Sequence, residues 1–121
     1  MRFMLWLRRE QLGPLAPEGA SVDDTWVVCL AHRPRDPLGV ATYGNVAWHP
    51  LIPCASRDAA AALAARIARA SLGEHGEYGW EPVVDDHGHD TPARELWVTC
   101  ADGSERRADV AIAPLSMLAY D

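Results

Sequence analysis

The stretch Arg94-Glu95-Leu96-Trp97-Val98-Thr99-Cys100-Ala101-Asp102-Gly103-Ser104-Glu105-Arg106-Arg107-Ala108-Asp109-Val110-Ala111-Ile112 reads as two strands joined by a tight turn. A two-residue Asp102-Gly103 loop would set Leu96 against Asp109 and Val98 against Arg107, mixing apolar and charged side chains on one face. A three-residue loop removes the conflict. With Ala101, Asp102 and Gly103 as the loop and Gly103 in the left-handed conformation, Leu96, Val98 and Cys100 share a face with Ala108 and Val110. Trp97 and Thr99 then project from the opposite face.

Working outward, residues 25–32 (Thr25-Trp26-Val27-Val28-Cys29-Leu30-Ala31-His32) are β-branched, aromatic and apolar on both faces, which places them centrally in a sheet. Asp36-Pro37-Leu38-Gly39 has the chemistry of a type I turn, and residues 40–48 supply the strand that follows it. Gly44-Asn45 interrupts that strand, either as a bulge, the favoured reading, or as a second two-residue hairpin turn, and Pro50 and Pro53 end its pairing. Residues 2–8 read as a strand buried on both faces, residues 13–19 as a Pro/Gly loop, and residues 80–84 as a short edge strand carrying Pro82.

One helix is expected, over residues 57–72. Ser56 is its N-cap, Asp58 sits at the positive end of the dipole and Gly73 supplies the stop. Ala60, Leu63, Ile67 and Ala70 recur at helical spacing as its apolar stripe, so Leu63→Ala is expected to cost about 2–5 kcal/mol. Arg66 and Arg69 form a solvated flank. The glycines of residues 73–79 make a linker, and residues 85–92 a polar loop. The fold class is therefore α+β in a single domain, 1–121: an antiparallel sheet of about five or six strands with one Ala-rich helix packed on one face.

Composition bounds the function. The 121 residues carry a net charge of −6, with 17 acidic side chains against 11 basic ones, all of them Arg. Such a chain is repelled by nucleic acid, whose binding rests on basic clusters. The longest unbroken apolar stretch at the N-terminus, Phe3-Met4-Leu5-Trp6-Leu7, is too short for a membrane span or a signal peptide. Cys29, Cys54 and Cys100 are odd in number and far apart, and read as reduced thiols of a cytoplasmic protein.

Two constellations could carry function. Asp85-Asp86-His87-Gly88-His89-Asp90 offers metal ligands, with His87, His89 and Asp90 the candidate set and Glu77 or His75 brought near by the glycine linker. The bland counterpart is a solvated turn, and no zinc spacing or His-Glu-x-x-His helix accompanies the cluster. Cys54, just before the helix, is the one thiol whose pKa the dipole could lower, with His49 five residues upstream. No phosphate-cradling glycine loop, nucleophile elbow or dinucleotide fingerprint is present, so no catalytic residue and no cofactor is assigned.

The five tryptophans all fall in or beside expected strands, with Trp6 and Trp26 read as core. Trp97 is either covered by the helix or exposed as an interface anchor. One helix cannot cover both faces of the sheet. The second face must be covered by loops, by a second copy or by a partner protein, and the apolar strand surface is expected to exceed what the chain can cover alone. The sequence thus favours a small acidic non-enzymatic protein-interaction module (an adaptor, assembly subunit or inhibitor, of a size and charge seen in inhibitors encoded by mobile elements). Trp97, Thr99 and Trp80 are its candidate partner-binding residues. The alternative is a small-ligand or metal-binding protein, or a weak enzyme, using the His87/His89 loop.

Overall fold

A computed structural model describes residues 2–3, 7–32, 47–72, 77–85 and 87–119. Six strands form one sheet: β1 (Arg2–Phe3), β2 (Trp26–His32), β3 (Ala47–Cys54), β4 (Glu77–Val84), β5 (Asp90–Thr99) and β6 (Glu105–Pro114). Their order is β1-β3-β2-β6-β5-β4, antiparallel throughout except for the two-residue parallel pairing of β1 with β3. Among the described residues a single α-helix, α1 (Arg57–Leu72), packs on one face, so the fold is α+β.

The β5–β6 hairpin takes the expected register. Val98 pairs with Arg106 and Thr99 with Glu105, and the turn closes with Cys100 N–H donating to Ser104 O at 2.7 Å and Gly103 N–H to Cys100 O at 2.9 Å. Gly103 has φ 83°, the left-handed conformation that the three-residue loop demands. Beyond Trp97, opposite Arg107, the pairing jumps to Glu95 opposite Ala111, so β6 carries two extra residues at a bulge that includes Asp109 at φ 60°. An even insertion preserves the alternation of faces. Leu96 and Ala108 therefore still pack together under α1, beside Ala68.

Helix α1 begins as its sequence implies, with Ala59 N–H donating to Ser56 Oγ at 3.1 Å. The buried stripe is displaced from the expected one. Ala60, Ala64 and Ala68 are fully buried, Leu63 and Ile67 lie on the flanks half-buried, and Ala70 is exposed. This i, i+4 alanine row lets the helix backbone approach the sheet closely, and the larger side chains pack down its sides against Val28, Val110 and Ile112. Arg66 and Arg69 are exposed, as expected, and Arg69 lies over the Tyr78 ring at 5.7 Å.

Three strand readings change. Pro50 and Pro53 do not end the pairing of β3: they lie within it, opposite Cys29 and Val27. Among the described residues β3 has only the two-residue β1 on its outer side, which leaves most of it an edge where a missing N–H is tolerated, and Leu51 forms a bulge beside Pro50. Edge strand β4 starts earlier than expected, absorbing Glu77 to Gly79 from the supposed linker. Of residues 2–8, Arg2–Phe3 is a strand, Leu7 makes an isolated bridge to Ala119, Arg8 is outside any strand, and residues 4–6 lie outside the described residues. Trp6, the Asp36–Gly39 turn, the Gly44-Asn45 bulge, Gly73 and His75 lie outside the described residues.

The second face of the sheet is largely covered by the chain itself, which corrects the expectation of an apolar excess. Val27, Cys29, Ala111, Ala113 and Trp48 pack beneath Leu12, Leu115 and Leu118, with Leu7, Ala16, Val22 and Met117 around them. The segment before β2 contributes two short 3-10 turns, Arg9–Gln11 and Gly13–Leu15, and a third, Leu115–Leu118, follows β6. Backbone bonds tie this cover down, Leu7 N–H to Leu118 O at 3.0 Å and Leu115 N–H to Thr25 O at 2.9 Å.

The displaced stripe sets an order of effects. Ala64→Leu should destabilise by about 1–3 kcal/mol through overpacking. Leu63→Ala, half-buried, should cost only about 1–2 kcal/mol, below the range for full burial. Urea denaturation of both variants checks this.

Candidate functional site

Alternation along β5 divides its side chains between the faces. Leu96 and Val98 point under α1, whereas Glu95, Trp97 and Thr99 lie on the opposite face, beyond the residues that the N- and C-terminal segments cover. There three rows cross the sheet: Glu81 beside Glu95, Gly79 beside Trp97 beside Arg107, and Glu77 beside Thr99 beside Glu105.

Trp97 is half-buried and held from two directions. Its indole N–H donates to Glu95 Oε1 at 2.6 Å, and the Arg107 guanidinium lies 5.3 Å from its ring centroid. Arg107 Nε also forms an ion pair with Glu95 Oε1, at 3.0 Å. The Glu95 carboxylate, only 7% exposed, is thus satisfied by the two side chains that it positions. On the β4 flank the ring's neighbour is Gly79, and the space where a side chain would stand there is open. Glu77, Glu81, Thr99 and Glu105 are exposed around this gap.

The expected partner-binding trio is therefore split. Trp97 and Thr99 share the face away from α1. Trp80, paired with Leu96, is on the helix side, half-buried against Ala68 and Leu96, and belongs to the core. The sequence reading missed Glu95 and Arg107, whose signal was present: with Trp97 on the face opposite Leu96, the residues at i−2 and directly across the hairpin must flank it. Of the other tryptophans, Trp48 is buried, and Trp26 is half-buried with Arg57 over its ring at 5.4 Å.

The His87/His89 loop is organised by Asp85. Its Oδ1 accepts the backbone N–H groups of His87 and His89, each at 2.9 Å, while Gly88 at φ 81° completes the turn. These two amides and the nearby imidazoles hold the half-buried carboxyl of Asp85 below the ordinary aspartate value, the His89 amide contributing most. His87, His89 and Asp90 are all exposed, and the two imidazole rings lie 6.5 Å apart. Among the described residues, no three His, Cys, Asp or Glu side chains gather where an ion could sit. Glu77 is not brought to this loop. It pairs with Thr99 at one end of β4 while Val84 pairs with Asp90 at the other, about 23 Å away at ~3.3 Å per residue.

The cysteines are free thiols. Burial pushes Cys29 up to about 12. Cys54 is also raised by burial rather than lowered by the helix, its Sγ turned back toward Ile52 O at 3.8 Å, which removes the reading of an activated thiol. No helix among the described residues is long and apolar enough to cross a membrane.

Compared with protein-family models, with curated proteins and with solved structures, the chain shows no match.

Two outcomes check this description. Glu95→Ala removes the ion pair to Arg107 and the acceptor of the half-buried indole N–H, and should cost about 1–3 kcal/mol in urea denaturation. Because the Asp85 value is lowered on folding, the order it gives the turn is present above the ordinary aspartate pKa and is lost as pH falls through the lowered one. The His87 and His89 amide resonances should follow that titration together, and Asp85→Asn should abolish it.

Proposed function

We propose that this chain is a non-enzymatic protein-interaction module, an adaptor, assembly subunit or inhibitor, that works through the half of the second sheet face centred on Trp97. The carrying observation is the contrast between the two halves of that face. One half is sealed by the chain's own terminal segments, and the other presents a rigidly held, half-exposed indole beside an open glycine. A tryptophan fixed by a buried carboxylate and a stacked guanidinium loses little side-chain freedom on binding. That is the character of an interface anchor.

Strand β4 extends the surface to the sheet edge, since no described strand pairs with its outer side. Such an edge is a ready template for strand addition. The net charge of −6 favours encounter with a basic partner surface over nucleic acid, through steering more than through affinity. Among the described residues the His87/His89 loop gathers no third ligand that would favour the metal-binding alternative.

A photo-crosslinking residue placed at Thr99, and in a control protein at Ala62 on the exposed side of α1, tests the reading in cells. Crosslinks to a discrete protein, or to a second copy, are expected from position 99 and not from position 62. No crosslink at position 99, or equal yields at both, would contradict it.

A further inference from the structure

The pattern of β4 specifies the partner more closely, on the premise that this half-face is the interaction surface. Along the strand Glu77, Gly79 and Glu81 stand at every second position, all exposed, on the face that carries Trp97. A strand added to the outer edge of β4 would place alternate side chains of its own directly beside these three. Two of its residues would meet carboxylates. The one between them would pass over Gly79, where no side chain blocks it, to the flank of the Trp97 ring not occupied by Arg107.

We infer that the occupant of this edge is an extended basic segment of another protein, with Arg or Lys at alternate positions. Its outer two cations pair with Glu77 and Glu81, and its central cation lies across Gly79 against the indole of Trp97. Charge complementarity selects this occupant. Arg107, the one base on this patch among the described residues, is already paired with Glu95, whereas Glu77, Glu81 and Glu105 are exposed carboxylates. A second copy of the chain fits poorly: antiparallel pairing of two β4 strands about Gly79 would set Glu77 against Glu81 twice, and like charges directly opposite are destabilising. The same carboxylates thus protect an edge that no described strand covers from self-pairing, and favour a basic strand. The glycine has a role here too, since any larger residue would fill the central position.

The test uses the full chain and a synthetic peptide, acetyl-Thr-Arg-Thr-Arg-Thr-Arg-Thr-amide, with a Glu-for-Arg peptide as control. Binding is followed by two-dimensional NMR of the backbone amides and the tryptophan indoles. The Arg peptide should shift the β4 amides and the Trp97 indole resonance in low salt and lose affinity as salt is raised, while the Glu peptide should not bind. Glu77→Gln with Glu81→Gln should weaken binding at least fivefold. Gly79→Val, a strand-favouring change into open space, should leave the fold intact and remove the Trp97 shift. Absence of binding, equal binding of the two peptides, or shifts confined to other surfaces would overturn the inference. So would a dimer in light scattering whose contacts map to β4. If the Arg peptide fails while position 99 still crosslinks to a discrete cellular protein, the basic-strand inference falls and the interaction module stands; failure of both removes both.

Discussion

The pairing of β5 with β6 is the constraint on which the rest of the structure depends. The left-handed Gly103 permits a three-residue turn, and that turn fixes which of two consecutive residues, Leu96 or Trp97, faces α1. A slip of one residue would exchange them. Leu96 would then leave its contacts with Ala68 and Ala108, and the larger indole would have to take its place against them. The bulge at Asp109 adds two residues rather than one, so the alternation survives to the central strands, where Ile112 faces α1 and Ala111 the opposite side.

Two different solutions cover the two faces. On one, an alanine row brings a helix close over Val28, Val110 and Ile112. On the other, irregular chain from both ends of the sequence, anchored by Leu12, Leu115 and Leu118, covers Val27, Cys29 and Ala113. Neither cover extends over β5 at Trp97, where the face turns from apolar to charged. The change in chemistry coincides with the change in cover, and for this reason the patch is read as a surface evolved to be wet or to be bound rather than as a core left incomplete.

Much of this was legible in sequence where a local rule had a single good solution. The hairpin register followed from the conflict of Leu96 with Asp109, the N-cap from Ser56, and the central place of β2 from its unbroken apolar run. Readings failed where a local rule was overridden by long-range context. The prolines of β3 are tolerated because of what lies, or does not lie, on its outer side, which no local pattern reports. The helix stripe shifted to its smallest residues because burial there is set by how near the sheet stands. Glu95 was passed over because acidic residues are ordinarily solvated, and only the placement of Arg107 across the hairpin shows why its carboxylate can be buried. The second face was misjudged because 3-10 turns carry no periodic signature.

The most direct test of the central claim, that the hairpin turns Trp97 away from the helix and into the Glu95–Arg107 clasp, is the set of nuclear Overhauser contacts made by the Trp97 ring. Contacts to the Arg107 side chain are predicted, with the Ala68 methyl contacting Leu96 and not Trp97. Contacts between the Trp97 ring and the Ala64 or Ala68 methyls would contradict it, and would remove the surface on which the proposed function rests.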